Sequence, residues 1–387
     1  MLALGTHLVQ RGHTVMLETW ERWRPAVEDA GMTFAAAPEY PVFPTRERPL
    51  KPYEAVARAA PETRRVLAPF APDVVVHDIL TIAPALAGEL EGVRVATLVP
   101  HLYPGPFRGL PPYAFGARPA RTAAGRALWR ALVRPLELGF ERGRSELNET
   151  RARLGLPPVT RLLGGISDQL CIVGTFPQLE YPRGWPDDTH VVGPLLWEPP
   201  SEPVKPPRGS DPVVLVAPST AHDPEQRLLR AALAGLAQEP VRVLAATNRR
   251  QPLPPLNVPA NATLVDWLSY SQTMPGCAAV ITHAGHGTLA RALACGCPVL
   301  AVPHSGDMGE NAARADWAGV GVRLPWRFLS PTTLRLAVRR VLATPALARR
   351  AAELQSWSEA NDAPARAADL VEELATETRP RESARTR

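Results

Sequence analysis

Between Gly193 and Pro212 the chain places seven prolines, in the run GPLLWEPPSEPVKPPRGSDP. Proline lacks an N–H for a sheet ladder and its ring breaks a helix, so this density predicts a stiff linker rather than part of a core. The same pattern lies on both sides of it. Ahead of the linker, apolar runs at 14–18, 32–36, 73–77 and 93–98 alternate with helically spaced segments at 2–9, 21–30, 53–69 and 82–90. Behind it, runs at 213–217, 241–246, 263–266, 278–282 and 298–303 alternate with helices at 224–238, 288–294 and 308–317, and helices at 332–342 and 364–374 follow. Short apolar strands separated by helices mean parallel sheets covered on both faces. The expected class is α/β: two Rossmann-like parallel-sheet domains facing a cleft, with ligands at the carboxyl ends of the strands.

The expected divisions are an N-terminal domain at 1–195, the linker at 196–211 and a C-terminal domain at 212–360. A terminal helix at 361–375 and a disordered tail at 376–387 follow. A length of 387 residues suits two cores better than one. One feature is out of order. Such chains normally begin on a strand, but Leu2, Leu4, Leu8 and Val9 have helical spacing, so the first strand is expected to be missing.

Composition narrows the partners. Lys+Arg 43 against Asp+Glu 38 is too mild a balance for a nucleic-acid partner. The Arg-rich helical stretch at 118–154 reads as a solvated face. No apolar run approaches the roughly 18 residues that cross a bilayer, so stable membrane insertion is not expected. The first residues lack the basic start of a leader, which points to the cytoplasm. Cys171, Cys277, Cys295 and Cys297 match no zinc spacing and read as small buried thiols in a reducing compartment.

The most informative stretch is VITHAGHGT, residues 280–288, with a helix expected from about Thr288. A strand followed by a glycine turn and a helix start presents backbone N–H groups and a positive helix end. Gly285 and Gly287 let an anion approach the backbone, while His283 and Thr288 add donors. The natural guest is a phosphate or diphosphate. Residues 285–290 also fit a dinucleotide-binding glycine pattern, with Asp307 as the ribose acid, but that fingerprint belongs on a domain's first strand, not far inside one. His286 is expected to face solvent or pack on the loop, and no metal site is expected from His283, His286 and His304.

The run from Asp266 to Val322 resembles the donor-binding region of nucleotide-sugar-dependent glycosyltransferases. That two-domain, inverting family includes the plant and mammalian UDP-glycosyltransferases and the bacterial antibiotic glycosyltransferases. The likeness rests on a His-x-Gly-x-x-Thr turn (283–288), a Gly-x-Pro-x-x-x-x-Pro strand (296–303) and an Asp-x-x-x-Asn helix start (307–311). With the linker and terminal helices it extends over nearly the whole chain. The resemblance implies the GT-B fold, with His283, Gly285, Gly287 and Thr288 on the donor diphosphate and Ser219 reaching a phosphate. Trp267 would lie against the nucleobase, backbone of Leu268 would read its edge, Asp307 would accept from sugar hydroxyls, and Asn311 would cap or steady that loop. Duller readings stand beside these: Trp267 as core, Asp307 as a helix N-cap.

Departures from the family pattern also carry expectations. Met308 stands where plant members have a sugar-binding Gln, and Arg291 where they have a ribose-binding Glu. The family's base, a His on a Gly-rich loop after the first strand, has no counterpart here, and His7 and His13 are no substitute. A start codon placed too far downstream, or a degenerate relative, would explain this. Asp78 aligns with the residue that orients the base, or else caps the next helix, and His101 is expected to line the acceptor pocket. The implied activity is inverting transfer of a sugar from a UDP- or dTDP-sugar to a hydroxyl of an apolar small molecule, without metal or other cofactor. A non-catalytic nucleotide-sugar binder is the alternative, and an epimerase a third.

Overall fold

Apolar strands with helices between them build two parallel-sheet halves in the computed structural model, which describes residues 1–38, 54–201, 204–219, 223–251, 253–304 and 306–377. In the N-terminal half, α1 (Leu2–Gln10) leads to β1 (Met16–Thr19) and α2 (Arg24–Asp29) to β2 (Thr33–Ala36). Next come α3 (Glu54–Phe70), β3 (Val74–Asp78), α4 (Ala83–Leu90) and β4 (Arg94–Val99). The long α5 (Ala123–Arg153) precedes β5 (Leu170–Val173) and β6 (Thr189–Val191). Tyr53, the expected start of α3, and the tail from 378 lie outside the described residues.

The C-terminal half begins with β7 (Val213–Ala217), α6 (Arg227–Leu236), β8 (Arg242–Ala246), β9 (Ala262–Val265) and the short α7 (Tyr270–Thr273). It continues with β10 (Ala279–Thr282), α8 (His286–Ala294), β11 (Val299–Ala301), α9 (Met308–Trp317) and β12 (Gly321–Arg323). Three helices close the chain: α10 (Pro331–Leu342), α11 (Pro345–Ala360) and α12 (Ala363–Thr376). Gly296 and Gly319, at φ +72° and +73°, end α8 and α9 in the left-handed conformation that turns the chain back into β11 and β12.

The C-terminal strands form one sheet in the order β12-β11-β10-β7-β8-β9, all parallel. Its central strand, Val213–Ala217, is buried throughout, as a β-branched run covered on both faces must be. The N-terminal strands fall into two pieces, β1-β2 and β3-β4-β5-β6. In the order of the C-terminal sheet, the domain's first strand occupies the position at which this sheet divides, between β1 and β3.

The halves pack together at several places, two of them apolar clusters. Leu102, Phe176 and Leu179 enter the core beneath β7 and β10, where the Phe176 ring meets Trp357 edge-on at 5.7 Å. Helix α12 crosses back onto the N-terminal sheet, setting Ala367, Leu370 and Leu374 against Leu4, Leu98 and Ile172. Arg11 binds Asp369 at 2.7 Å, and His7 and His13 pair with Asp362 and Glu372. Those two histidines thus fasten α1 to α12. Within the linker, Glu198 accepts from the amides of Tyr270 (2.6 Å) and Ser271 (2.9 Å), which seats it on the start of α7. Among the described residues, no helix is long and apolar enough to cross a membrane.

Candidate functional site

In a doubly wound sheet the crevice lies where the strand order reverses. Here that point is between β7 and β10, and the chain leaves both at their carboxyl ends. Ser219 follows β7 and is buried. His283 follows β10, with Nδ1 3.5 Å from the Ala217 carbonyl, so its ring sits over the end of β7. The crevice therefore joins two residues that lie 64 positions apart in the chain.

The turn between β10 and α8 is tighter than its glycines alone imply. Ala284 is fully buried at φ +67°, a conformation unfavourable for a residue with a Cβ, and its amide donates to Thr282 Oγ1 at 3.3 Å. A Cβ on Gly285 would collide with the His283 ring, whereas one on Gly287 would meet nothing within 4 Å. Gly285 thus allows the imidazole to lie over the turn, and Gly287 leaves the approach to the helix open. Helix α8 begins at His286, two residues before the expected Thr288, so Gly287 and Thr288 belong to its first turn. Gly285 is its N-cap and makes no side-chain cap bond. Helix N-termini leave their first amides unpaired, and together with the dipole those amides favour an anion.

Neighbouring strand ends complete the C-terminal side. Trp267 follows β9 half-buried, with the Arg249 guanidinium 5.0 Å from its ring centroid, so it is not a core residue. The Leu268 side chain is core, which leaves its backbone at the edge. Asp307 stands at the N-cap of α9, but its side chain makes no cap bond. Its carboxylate instead accepts from Asn311 Nδ2 at 3.1 Å. The same Nδ2 reaches the Ala284 carbonyl at 3.0 Å, so buried Asn311 ties Asp307 to the phosphate-type turn. Met308 points the other way, into a small apolar group with Ala284, Ala301 and Ala312. Arg291 lies in the last turn of α8, where its charge acts on Glu198 of the linker.

The N-terminal half faces this turn. His286, expected to face solvent or pack on the loop, does not face solvent: it is buried and donates from Nε2 to the Gly174 carbonyl of that half at 3.3 Å. The correction follows from the earlier helix start, which puts residue 286 on the inner side of the first turn. Burial, followed by the charge of His101, pushes its pKa down to about 4. His101 hands its Nδ1–H to its neighbour's carbonyl (Leu102, 2.7 Å) and stacks on Tyr113 at 6.2 Å between centroids. Asp78 ends β3 and caps no helix: α4 follows Ile82, and Asp78 accepts from the Leu80 amide at 2.8 Å. The residues that sequence reasoning did not single out are Arg249, Tyr113, Glu310 and Arg314. Only the last two had a signal, an i, i+4 acid–base pair on a predicted helix.

Residues 227–374 match the erythromycin biosynthesis protein CIII-like C-terminal domain. The chain is 29% identical to 4'-demethylrebeccamycin synthase of Lentzea aerocolonigenes, over 97% of this chain and 96% of that protein. It is 31% identical to O-mycaminosyltylonolide 6-deoxyallosyltransferase of Streptomyces fradiae, over 98% and 94% of the two chains. Among solved structures, the calicheamicin glycosyltransferase CalG4 superposes with a TM-score of 0.75 at 24% identity, covering 98% of this chain and 95% of that one. At that identity the superposition speaks for the fold, and the fold is the expected GT-B arrangement.

Proposed function

The chain belongs to the two-domain, nucleotide-sugar-dependent glycosyltransferases, and from that premise we propose that it carries a sugar from a UDP- or dTDP-sugar to a hydroxyl of an apolar secondary metabolite. In this reading the acceptor oxygen attacks the anomeric carbon from the N-terminal side while the bond to the diphosphate oxygen breaks, inverting that carbon in one displacement. The hydroxyl proton has to pass to a base; the chain's residues hold no counterpart of the family's His for that part, and Asp78 is the residue that would orient one. The amides opening α8, with His283 and Thr288, take the negative charge that grows on the departing diphosphate. These groups supply the positive potential, so the reading calls for no metal. Asp307, steadied by Asn311, accepts from the sugar hydroxyls, and Trp267 stacks on the nucleobase. His101 stands on the acceptor side.

The observation that carries this reading is the N-terminus of α8. Its N-cap residue, Gly285, has no side chain with which to cap it; the turn is overlain by His283 and set against the other half through the bond from His286 to Gly174. Substituting His283→Ala is expected to weaken binding of UDP or dTDP by ~1.5–3 kcal/mol, as losing a charge-assisted bond does. Titration calorimetry reads this directly, and an unchanged affinity would remove His283 from the donor site. A second reading, nucleotide-sugar binding without transfer, draws on the N-terminal sheet, which divides beside Asp78. Nucleotide binding without turnover of UDP-glucose or dTDP-glucose across a panel of apolar hydroxyl acceptors would favour it.

A further inference from the structure

A buried ionic group joins the halves along one stripe of α9. Glu180 and Arg183 come from the N-terminal half and Glu310 and Arg314 from α9, and their side chains are 0 to 4% exposed. Four charges out of water cost several kcal/mol each unless their bonds are complete. Here both carboxylates are fully used. Glu310 takes Arg314 Nε on one oxygen at 2.7 Å and the Gly116 amide on the other at 3.2 Å. Glu180 takes the Tyr103 amide on one oxygen at 2.7 Å, and on the other Arg314 Nη1 at 3.1 Å together with Arg183. Arg314 also reaches the Leu179 carbonyl at 3.1 Å and lies over the Tyr181 ring, 3.5 Å from its centroid.

Tyr103 and Gly116 belong to one segment, residues 101–118, which follows β4 and carries His101 and Tyr113. Each carboxylate thus spends one oxygen on this segment's backbone and the other on Arg314. The segment rests directly on α9, because a Cβ added at Gly116 would stand 2.7 Å from the Gly309 carbonyl oxygen. On a helix of 3.6 residues per turn, positions 307, 310, 311, 314 and 317 fall within an arc of about 120°. The stripe that holds the 101–118 segment therefore also carries Asp307 and Asn311.

We infer that Glu310, Arg314 and Glu180 are positioning residues that couple the docking of segment 101–118, on the acceptor side, to the placement of Asp307 on the donor sugar. This deepens the reading of a donor site and rests on it. A sugar that engages Asp307 sets the first turn of α9, and α9 holds the segment. By linkage, a docked segment in turn favours the sugar. Neither Glu310 nor Arg314 touches substrate in this assignment.

Hydrogen exchange over residues 101–118 tests it, with dTDP, dTDP-glucose, UDP and UDP-glucose as probes on the full chain. In the wild type, the nucleotide sugar should slow exchange of this segment beyond what the matching nucleotide does, by at least about 5-fold, the lower end of ordinary coupling. Glu310→Gln removes the charge that Arg314 answers. Gly116→Ala pushes the segment off α9 without changing any charge. Both should lose the sugar-dependent protection while binding dTDP or UDP within about 2-fold of wild type, since the phosphate turn is untouched. A merely structural role would leave that protection intact in any folded variant. Should Glu310→Gln fail to fold, Gly116→Ala and the half-exposed Arg118→Ala, which breaks the pair with Asp316, carry the test. Binding of neither nucleotide by the wild type would take down the donor-site reading itself. Binding with no sugar-dependent protection, or with protection kept in the variants, would overturn the coupling alone.

Discussion

The two halves are built on one plan and differ where the plan matters most. In the C-terminal sheet the first strand, β7, is central, flanked by β10 and β8, and its end forms the crevice with His283. In the N-terminal half β1 and β3 are not paired with each other, so Asp78 ends a strand whose only described neighbour is β4. The C-terminal half accordingly assembles the candidate site from its strand ends: Ser219, the 283–288 turn and Asp307. The N-terminal half contributes loops, and holds them by reaching across to α8 and α9. A phosphate site can live inside one domain because helix amides and glycine turns are local features. An acceptor site made of loops depends on what those loops dock against.

The sharpest way to break this comparison is at the sugar. If the C-terminal half holds the donor unaided, Asp307→Asn should weaken dTDP-glucose or UDP-glucose binding by ~1.5–3 kcal/mol, the worth of a hydrogen bond to a charged group, and leave dTDP and UDP alone. Calorimetry on the four ligands separates these. A loss shared equally by nucleotide and nucleotide sugar would mean that Asp307 acts through the turn by way of Asn311, not on the sugar.

A somewhat smaller effect concerns the joint. His286 has a pKa of about 4 in the folded chain against about 6.5 unfolded. The fold therefore favours the neutral ring, and the unfolded chain gains a proton first as pH falls. The stability this contributes is complete above about pH 6.5 and is lost as pH falls toward 4. About 2 kcal/mol of it is gone by pH 5. Urea unfolding at pH 7 and 5 should show this loss in the wild type and a smaller one in His286→Gln, the difference being His286's share. Equal losses would mean that the ring is solvated and the joint is looser than the bond to Gly174 implies.

What the sequence made legible follows the same division. The β10 turn and the crevice-side strands could be read because a buried β-branched run, two glycines and a helix start act over a few residues. For His286 the solvent-facing alternative fell with a two-residue error in the start of α8, enough to turn a side chain from outside to inside. Strands β5, β6 and β12 are too short to show a period, and sequence reasoning assigned none of them. Glu310 and Arg314 stand at i, i+4 on α9, a spacing common on solvated helices, and sequence reasoning did not single them out. Their burial depends on Glu180 and Gly116, which lie 130 and 194 positions away, and no local pattern carries that information. The crossing of α12 onto the N-terminal sheet is likewise set by packing against Leu4 and Ile172.

The smallest test compares one deletion in both sheets. Val216 on β7 is fully buried between two neighbouring strands, while Val75 on β3 is 9% exposed and packs with Leu67 and Ala87. Removing two methyl groups costs their transfer energy plus a cavity term that depends on how far the surroundings collapse. Around Val216 strands hold both sides and little can move, so Val216→Ala should cost ~2 kcal/mol. Around Val75 one side of the strand has no described partner, so Val75→Ala should cost ~1 kcal/mol as the wall relaxes. Amide exchange of β7 and β3, read separately, reports each half on its own scale rather than one global midpoint. Equal costs would show that β3 is held as firmly as β7. Asp78 would then stand on a strand as rigid as the one beneath His283, and the contrast between a self-contained donor half and a dependent acceptor half would fail at its base.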